Sequence, residues 1–258
     1  MPSSSPEGLV AEAASMLAAV RARAPRIHCI TNTVAMAFTA NVLLAAGAVP
    51  SMTIAPEEVG AFAGSADAIL VNLGTFDAGR RRAVELAVDT ASDGRIPWVL
   101  DPVFVDRSQA RTAFAAELAE RSPDAVRANA AEIAAVMGEA EPAPEALQRF
   151  ALDRLTVLAV TGASDLVTDG ARRITISNGH ELMSRVTAMG CAAGALIASF
   201  LAVEEDALGA TAAALLAFTV AGEIAGERAG GPGSFVPAIL DALYGLNEAT
   251  LAGRARLS

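Results

Sequence analysis

Short apolar runs alternate with stretches of helical periodicity over most of this chain, and no other feature of the sequence restricts its fold as strongly. The clearest apolar runs are residues 27–31, 49–54, 68–73, 98–103 and 157–161, with weaker candidates at 166–168 and 173–177. Helical periodicity marks residues 33–46, 78–91, 108–120 and 131–137. Alternation of this kind predicts βαβ units whose buried strands form a parallel sheet.

The sequence changes character after Cys191, where its pattern predicts helices alone. These helices cover residues 191–203, 207–228 and 235–252, with a Gly-Gly-Pro-Gly break at 230–233. No shift in composition resembles a flexible linker between domains. We therefore expect a single α/β domain over residues 1–258.

The apolar composition is typical of a protein core. Hydrophobic residues make up 53% of the 258 residues. The runs most like membrane spans, 189–203 and 207–222, are shorter than the roughly 18–20 residues that a span needs. An acidic stretch, Glu204-Glu-Asp206, separates them. We expect two buried helices joined by an acidic turn, and no membrane partner.

Charge and cysteine content restrict the partners and the location of the protein. A formal net charge of −10 disfavours nucleic acid and anionic membranes, since both bind basic surfaces. Two cysteines are too few for a disulfide scaffold and suit a reducing, cytoplasmic environment. The N-terminal segment lacks a basic patch followed by an apolar core, so we expect no secretory signal.

The basic residues are all arginine, and the sequence contains no lysine. A Walker A loop and a Schiff-base enzyme both need a lysine, so neither kind of site is possible here. Any site for a phosphate group would have to use arginine side chains, backbone N–H groups or a metal ion.

Polar residues follow the ends of the predicted strands. In open α/β sheets, ligands bind beyond the carboxyl ends of the strands, so we expect these residues to line one rim of the sheet and to form a ligand site there. They are Thr31 and Asn32, Asn72 to Thr75, Asp101, Arg127 to Asn129, and Thr161 with Gly162.

A turn of mostly small residues, 185–191, leads directly into an apolar helix and puts Cys191 where that helix begins. Free N–H groups at the start of a helix bind anions, and their partial positive charge favours a thiolate. The segment therefore indicates a phosphate site beside a reactive cysteine. The alternative is a structural cysteine, because cysteine is among the most buried residue types.

Other candidate residues have competing structural explanations. The carboxylate of Asp101 follows a buried strand and is suited to Mg²⁺, but Asp-Pro also forms turns. Asn129 and Glu132 have capping-box spacing, which competes with a metal role for Glu132. Arg127 could bind a phosphate through two donors or lie on the surface, and Met52 fits core packing.

Many short segments, in sequence order, resemble those of the hydroxyethylthiazole kinases, a family with a ribokinase-like fold. The resemblance covers nearly the whole chain, and it implies a three-layer sandwich with a mostly parallel central sheet and a helical C-terminal part. The matching segments include Ile27-His-Cys-Ile-Thr-Asn32, Leu73-Gly-Thr75, Leu100-Asp-Pro-Val103, Arg127-Ala-Asn-Ala-Ala-Glu-Ile133, Val160-Thr-Gly162, Ser177-Asn-Gly-His180, Gly190-Cys191 and Gly231-Pro-Gly-Ser-Phe235.

This resemblance also implies an activity. It implies ATP-dependent phosphorylation of the primary hydroxyl of 4-methyl-5-(2-hydroxyethyl)thiazole with Mg²⁺, in thiamine salvage, by a homotrimer whose active sites lie between subunits. Met52 would then hold the thiazole of a neighbouring subunit, and residues 187–191 would form an anion hole. By position, the implied roles are catalysis for Cys191, substrate binding for Met52, Ala188 and Asn32, nucleotide binding for Arg127, Thr161, Asn129 and Gly190, and metal binding for Asp101 and Glu132.

The chain departs from the family pattern at glycine positions. The family turn Thr-Gly-x-Gly-Cys is here Thr187-Ala-Met-Gly-Cys191, Arg-Gly-Asn is Arg127-Ala-Asn129, and Gly-x-Gly-Ala-Thr is replaced by Phe104-Val-Asp-Arg-Ser108. If residue 188 has positive φ, its methyl group costs about 1 kcal/mol. Three alternatives stay open: a thiazole kinase, a related kinase whose pocket Met189 and Phe104 adapt to another small alcohol, and a binding protein without turnover.

Overall fold

A central sheet organises the structure. The computed structural model describes residues 6–258, and the first five residues, part of the segment in which we expect no secretory signal, lie outside it. The described strands are β1 (Arg26–Ile30), β2 (Val49–Ser51), β3 (Ala68–Asn72), β4 (Trp98–Asp101), β5 (Ala125–Asn129), β6 (Val157–Thr161), β7 (Asp165–Thr168) and β8 (Arg173–Ile176). Their order across the sheet is β2-β1-β3-β4-β5-β6-β7-β8.

Strands β1 to β6 run parallel, and β7 and β8 follow as antiparallel neighbours. The expectation of a mostly parallel sheet is therefore confirmed. The register aligns the strand ends, because Asn72 of β3 lies opposite Asp101 of β4, and Asn129 of β5 lies opposite Thr161 of β6. Polar residues far apart in sequence thus meet at one rim.

Helices cover both faces of the sheet. The described helices are α1 (Pro6–Arg23), α2 (Met36–Ala46), α3 (Pro56–Gly64), α4 (Ala78–Gly94), α5 (Gln109–Ala119), α6 (Ala130–Met137), α7 (Pro144–Arg154), α8 (Met189–Leu201), α9 (Ala207–Arg228), α10 (Pro232–Tyr244) and α11 (Glu248–Arg254). Helices α1, α2 and α8 to α11 share one apolar core with the sheet, and α3 to α7 share another. The predicted three-layer α/β arrangement is confirmed.

Strand β3 shows how the sheet serves both cores. Its side chains Ala68 and Leu70 enter the core beside α8, whereas Ile69 and Val71 enter the core beside α4. Successive side chains of a strand point to opposite faces, so a strand buried on both faces must be apolar at every position. This is why the run 68–73 could be recognised as a strand.

Helix α9 is the apolar centre of its layer. It is long and apolar enough to cross a membrane by length and composition, yet 94% of its most apolar window is buried inside the protein. Its neighbours are α1, α8 and α10, which surround it within the domain core. The expectation of a buried core helix is confirmed, although the helix extends beyond the apolar run 207–222.

Several elements differ from the sequence predictions: helices α1 and α3 were not predicted, strand β2 ends at Ser51 instead of residue 54, and α10 begins at Pro232 inside the expected break. Strand β5 was not recognised, because Arg127 interrupts its apolar run. The single helix expected at 235–252 is wrong: α10 ends at Tyr244 and α11 begins at Glu248. The break is stabilised by Asn247, whose side chain accepts a hydrogen bond from the backbone N–H of Thr250 and so caps a new helix.

The packing of α8 predicts a large stability difference between two leucines. Leu196 is fully buried in α8, whereas Leu152 on α7 is 56% exposed. We expect Leu196→Ala to lower the free energy of unfolding by about 2–5 kcal/mol, because it leaves a cavity. Leu152→Ala is the control and should change it by less than about 0.5 kcal/mol. Urea denaturation measures both, and equal losses would contradict the close packing of α8.

Candidate active site

Four buried side chains form a hydrogen-bonded chain at the carboxyl ends of the strands. Asn72 Nδ2 donates to Asp101 Oδ2 at 2.7 Å. Asn32 Nδ2 donates to Asn72 Oδ1 at 3.4 Å and to Cys191 Sγ at 3.2 Å. Three neighbouring strands are thereby connected to the first turn of α8, and the predicted rim is confirmed as a cluster.

Local backbone contacts fix the two asparagines. Asn32 Oδ1 accepts from the N–H of Ala35 at 2.9 Å, and Asn72 Oδ1 accepts from the N–H of Gly74 at 3.0 Å. A Cβ atom added to Gly74 would lie 2.6 Å from Asn32, so a side chain there would displace this asparagine. Side chains held in this way reach a ligand without further ordering.

Arg127 lies on the other side of the helix start. Its Nη2 donates to Thr161 Oγ1 at 2.6 Å, and its Nη1 lies 3.5 Å from Asp101 Oδ1. A Cβ atom added to Gly190 would lie 2.4 Å from Nη1, so the guanidinium packs directly on the backbone of α8. The site therefore combines a fixed positive charge with the free N–H groups of a helix N-terminus, which is suited to binding phosphate.

Asp101 is the buried acid of the cluster. Burial raises its pKa to about 6, with Glu132 adding to the rise, while Arg127 and the hydrogen bond from Asn72 oppose it. The group is therefore ionised at neutral pH. A buried carboxylate with only partial compensation remains available to a cation or to further hydrogen-bond donors.

Cys191 does not have the thiolate character expected from its place at the helix start. Burial, and next the negative charge of Asp101, raise its pKa to about 12, although the hydrogen bond from Asn32 and the charge of Arg127 oppose the shift. The expectation of a thiolate is wrong because desolvation outweighs the helix dipole. Both Cys29 and Cys191 are free and buried.

Two of the three altered glycine positions have left-handed backbone. Ala188 has φ 70° and ψ 2°, and Phe104 has φ 56° and ψ 28°. Each non-glycine residue in this region costs on the order of 1–2 kcal/mol. Ala128 instead lies in strand β5, whose extended backbone does not require glycine. The turn thus keeps a glycine-like conformation at residue 188 despite the methyl group.

Glu132 has a structural role as well as a position beside the site. It forms a capping box with Asn129, in which each side chain accepts from the other residue's backbone N–H. Its Oε1 also accepts from the N–H of Phe104 at 3.0 Å. The cap could therefore be predicted from the sequence, whereas the hydrogen bond from Phe104 that fixes the loop after β4 is seen only in the three-dimensional structure.

The carboxylates suit a metal that arrives with phosphates. Within residues 6–258, no group of three or more His, Cys, Asp or Glu residues could hold an ion. Mg²⁺ in nucleotide sites is usually bound by one or two carboxylates, waters and substrate phosphates. The pair Asp101 and Glu132 fits that donor set, and it does not fit a resident metal ion.

A cavity of about 710 Å³ opens beside this cluster. Its lining includes polar residues around Arg127 and apolar side chains of α9. Met189 lines this cavity, although its side chain is only 7% exposed and also packs in the core. The lining includes Arg127, Asn129, Thr161, Gly162, Asp165, Ser177 to Glu181, Met189, Gly190, Leu215, Phe218 and Thr219.

On the opposite side of Cys191 there is a small apolar cluster. Ala35, Val103 and Cys191 are buried together, and Ala188 packs against them. Met52 is not part of it; it follows the edge strand β2 and packs half-buried against the core. The structure therefore brings together every predicted site residue except Met52.

Asp165 is a site residue that the sequence did not indicate. It is buried, accepts from the N–H of Gly162 at 3.0 Å, and lines the cavity. Burial raises its pKa, and the hydrogen bond from Gly162 and the charge of Arg127 oppose the rise. No sequence signal marks it, since it opens a strand that was only weakly predicted.

Comparisons with known proteins agree with this geometry. A profile of the hydroxyethylthiazole kinase family matches residues 17–249. The chain belongs to the hydroxyethylthiazole kinase family. It is 47% identical to the hydroxyethylthiazole kinase of Klebsiella pneumoniae over 237 residues, 87% of this chain and 92% of that protein.

Solved structures place the family in a wider fold group. The hydroxyethylthiazole kinase protein of Pyrococcus horikoshii OT3 matches with a TM-score of 0.90 and 40% identity, covering 95% of this chain and 98% of that one. A ribokinase-like superfamily protein of Enterococcus faecalis matches with a TM-score of 0.68 at 13% identity, over 86% and 88% of the two chains. The ribokinase-like fold is therefore confirmed.

The burial of Cys191 predicts low thiol reactivity. With a pKa of about 12 for both thiols, neither cysteine should react rapidly with a disulfide reagent in the native protein. The thiolate fraction rises with pH below the pKa, so the rate should increase from about pH 7 to 10 without levelling. Both thiols should react in denaturant. A fast thiol at neutral pH that is missing in Cys191→Ser would contradict this.

Proposed function

We propose that the protein transfers the γ-phosphoryl group of ATP to the primary hydroxyl of 4-methyl-5-(2-hydroxyethyl)thiazole. The observation that carries the proposal is the start of α8, where the guanidinium of Arg127 packs on Gly190 and the Asn32–Asn72–Asp101 chain reaches Cys191. Full-length similarity to proteins named hydroxyethylthiazole kinase favours this substrate over another small alcohol and over a protein without turnover.

The two sides of Cys191 suit the two reactants. The apolar cluster of Ala35, Val103, Cys191 and Ala188 would contact the thiazole ring, and Asn32 would orient its hydroxyl. The cavity at Arg127 fits a nucleotide, with Thr161, Asn129 and Gly190 along its wall. The reacting atoms would then meet at the free N–H groups of α8, which stabilise charge on the transferred group.

Positioning and charge stabilisation supply most of the rate in phosphoryl transfer. The hydroxyl oxygen bonds to phosphorus as the bond to the β-phosphate breaks. Cys191 is a thiol at neutral pH because its pKa is raised to about 12. It therefore orients the hydroxyl, whose proton becomes acidic only as the new P–O bond forms and then passes to an oxygen of the transferred phosphoryl group, while ADP leaves. Its contribution lies below the roughly 10²–10⁴-fold that a general base supplies.

Magnesium would be held by Asp101 and Glu132 together with the phosphates, and it would neutralise their charge. The two carboxylates themselves have further functions. Asp101 holds Arg127 and Asn72 in position, and Glu132 fixes the loop at Phe104. These contacts keep the phosphate side of the site in one arrangement.

The assembly we propose is a homotrimer with sites between subunits, in which each subunit forms one kinase domain. Exposed apolar side chains support an interface near edge strand β2: Val34 and Leu44 are 74% and 57% exposed, and Val49 and Phe62 are 48% and 41% exposed. Met52 beside them would then contact the thiazole in a neighbouring site. Two free cysteines support a cytoplasmic location.

The direct test is an assay with Mg-ATP and the thiazole alcohol that detects the thiazole phosphate. A panel of other hydroxymethyl heterocycles serves as the specificity control. We expect a clear preference for the thiazole. Ligand-induced thermal stabilisation without ATP consumption would instead indicate a binding protein, and a stronger response to another alcohol would indicate a different substrate.

Removing the guanidinium of Arg127 should cost activity, and it should also cost stability because the buried carboxylate of Asp101 loses its ion-pair partner. We expect Arg127→Met to lower kcat/KM for ATP by about 10²–10³-fold, because a positioned charge donor at the phosphates is lost. The control is Arg121→Met, an arginine before the amino end of β5 that pairs with Asp89 at 2.9 Å. Steady-state kinetics measure both variants, and equal activity of the two would argue against the phosphate role.

The left-handed turn at residue 188 makes a second mutational prediction. Ala188→Gly should keep turnover, because glycine adopts this backbone without strain. Ala188→Val should lower turnover by about tenfold or more, since a β-branched residue at positive φ is strained. Turnover and thermal unfolding separate loss of function from loss of fold. Full activity in the valine variant would mean that the turn has another conformation during catalysis.

A further inference from the structure

Residues 255–258, which we name the strap, form an added edge beside strand β8. Leu257 makes an antiparallel bridge to Ile176. The N–H of Thr175 donates to the carbonyl of Ser258 at 2.7 Å, and the N–H of Ser258 donates back at 3.1 Å. The strap therefore continues the sheet one step beyond β8.

The strap also holds the loop 177–180, which follows β8. The N–H of Arg256 donates to Asn178 Oδ1 at 2.8 Å, and its guanidinium donates to the carbonyl of Ser177 at 3.0 and 2.9 Å. Asn178 Nδ2 donates to the carbonyl of Arg254 at 2.8 Å. Every residue of this loop lines the cavity that we assign to the nucleotide.

Glu223 of helix α9 is the point where loop and strap meet. It is 8% exposed. Its Oε1 accepts from Asn178 Nδ2 at 3.1 Å and from the N–H of Gly179 at 3.0 Å, and it also pairs with Arg256. Thr219, one turn earlier on α9, lines the same cavity. Burying an unpaired carboxylate costs free energy. The pairing of Glu223 therefore favours an arrangement in which Asn178, Gly179 and Arg256 stay close together.

The loop packs on α9 without space between them. Cβ atoms added to Gly226 and Gly222 would lie 2.3 Å from the His180 ring and 2.5 Å from Met183 Sδ. The His180 ring stacks on Phe235 of α10, with 6.3 Å between centroids. The wall of the cavity is thus close-packed on one side and held by the strap on the other.

We propose that Glu223 and Arg256 are positioning residues for nucleotide binding, and that the strap fixes the cavity wall that contacts the nucleoside part of ATP. This inference rests on the proposed kinase function. The cavity lining combines the apolar side chains Met183, Leu215 and Phe218, which suit a nucleoside, with Arg127 and Gly190, which suit phosphates. Loosening the wall should therefore weaken nucleotide binding and leave the chemical step intact.

The experiment compares Glu223→Gln and Arg256→Met with a matched pair of controls. Glu227 lies one turn further along α9 and pairs with Arg254, which joins the same helix to the residue before the strap. Among the described residues, the side chains of this pair are hydrogen-bonded to each other and not to loop 177–180, so Glu227→Gln and Arg254→Met remove an ion pair while the hydrogen bonds of the wall remain. Arg256→Lys keeps the charge and tests rescue.

We expect Glu223→Gln and Arg256→Met to raise KM for ATP, and Kd for ADP measured by calorimetry, by about tenfold. The values of kcat and of KM for the thiazole should stay unchanged, and Arg256→Lys should restore part of the affinity. The controls should behave as the wild type.

Three results would overturn the inference: unchanged KM for ATP, the same shift in the Glu227→Gln control, or a parallel loss in kcat and both KM values. A wild-type protein that neither binds ADP nor consumes ATP would refute the kinase function itself. If the wild type turns over and the variants do not show the expected change, only the positioning role is refuted, so the two proposals can be told apart. Arg256 has a 55% exposed side chain, so its variants test the strap even if Glu223→Gln fails to fold.

Discussion

The burial of one carboxylate organises the whole rim. Asp101 is removed from water at the end of a central strand, and an uncompensated charge there would cost several kcal/mol, on the order of the stability of a domain. Arg127 and Asn72 offset that cost from two sides, and Asn72 in turn orients Asn32 towards Cys191. The positions of the other groups follow from this requirement.

The parts of the fold that could be predicted are those in which a local pattern agrees with tertiary burial. Strand β3 is apolar at each position except its terminal Asn72 because both faces are covered, and α9 is apolar all round because helices surround it. Strand β5 could not be predicted, since Arg127 interrupts its apolar run. The contacts of this arginine with Asp101 and Thr161 form only in the folded protein. The same holds for Asp165, whose burial depends on β6 and β7 pairing.

The site could be predicted as a set of residues but not as an electrostatic environment. Because ligands bind beyond the carboxyl ends of the strands, the positions of Asn32, Asp101 and Thr161 at strand ends predicted that they share one site. The helix start suggested a thiolate at Cys191, yet the buried thiol beside Asp101 is held protonated. A dipole effect of at most about 2 kcal/mol in a buried site is smaller than the cost of desolvating a charge, and only the coordinates reveal the burial.

Helix α9 contributes residues both to the cavity and to the contacts that hold the loop 177–180. It is buried along 208–225, packs against α1, α8 and α10, and supplies both Leu215 at the cavity and Glu223 at the loop. Its amides can reach solvent only when the surrounding helices separate, so their hydrogen exchange should require global unfolding. The cavity wall that we assign to the nucleotide is therefore built on a helix that opens only when the protein unfolds, and its shape is set when the chain folds.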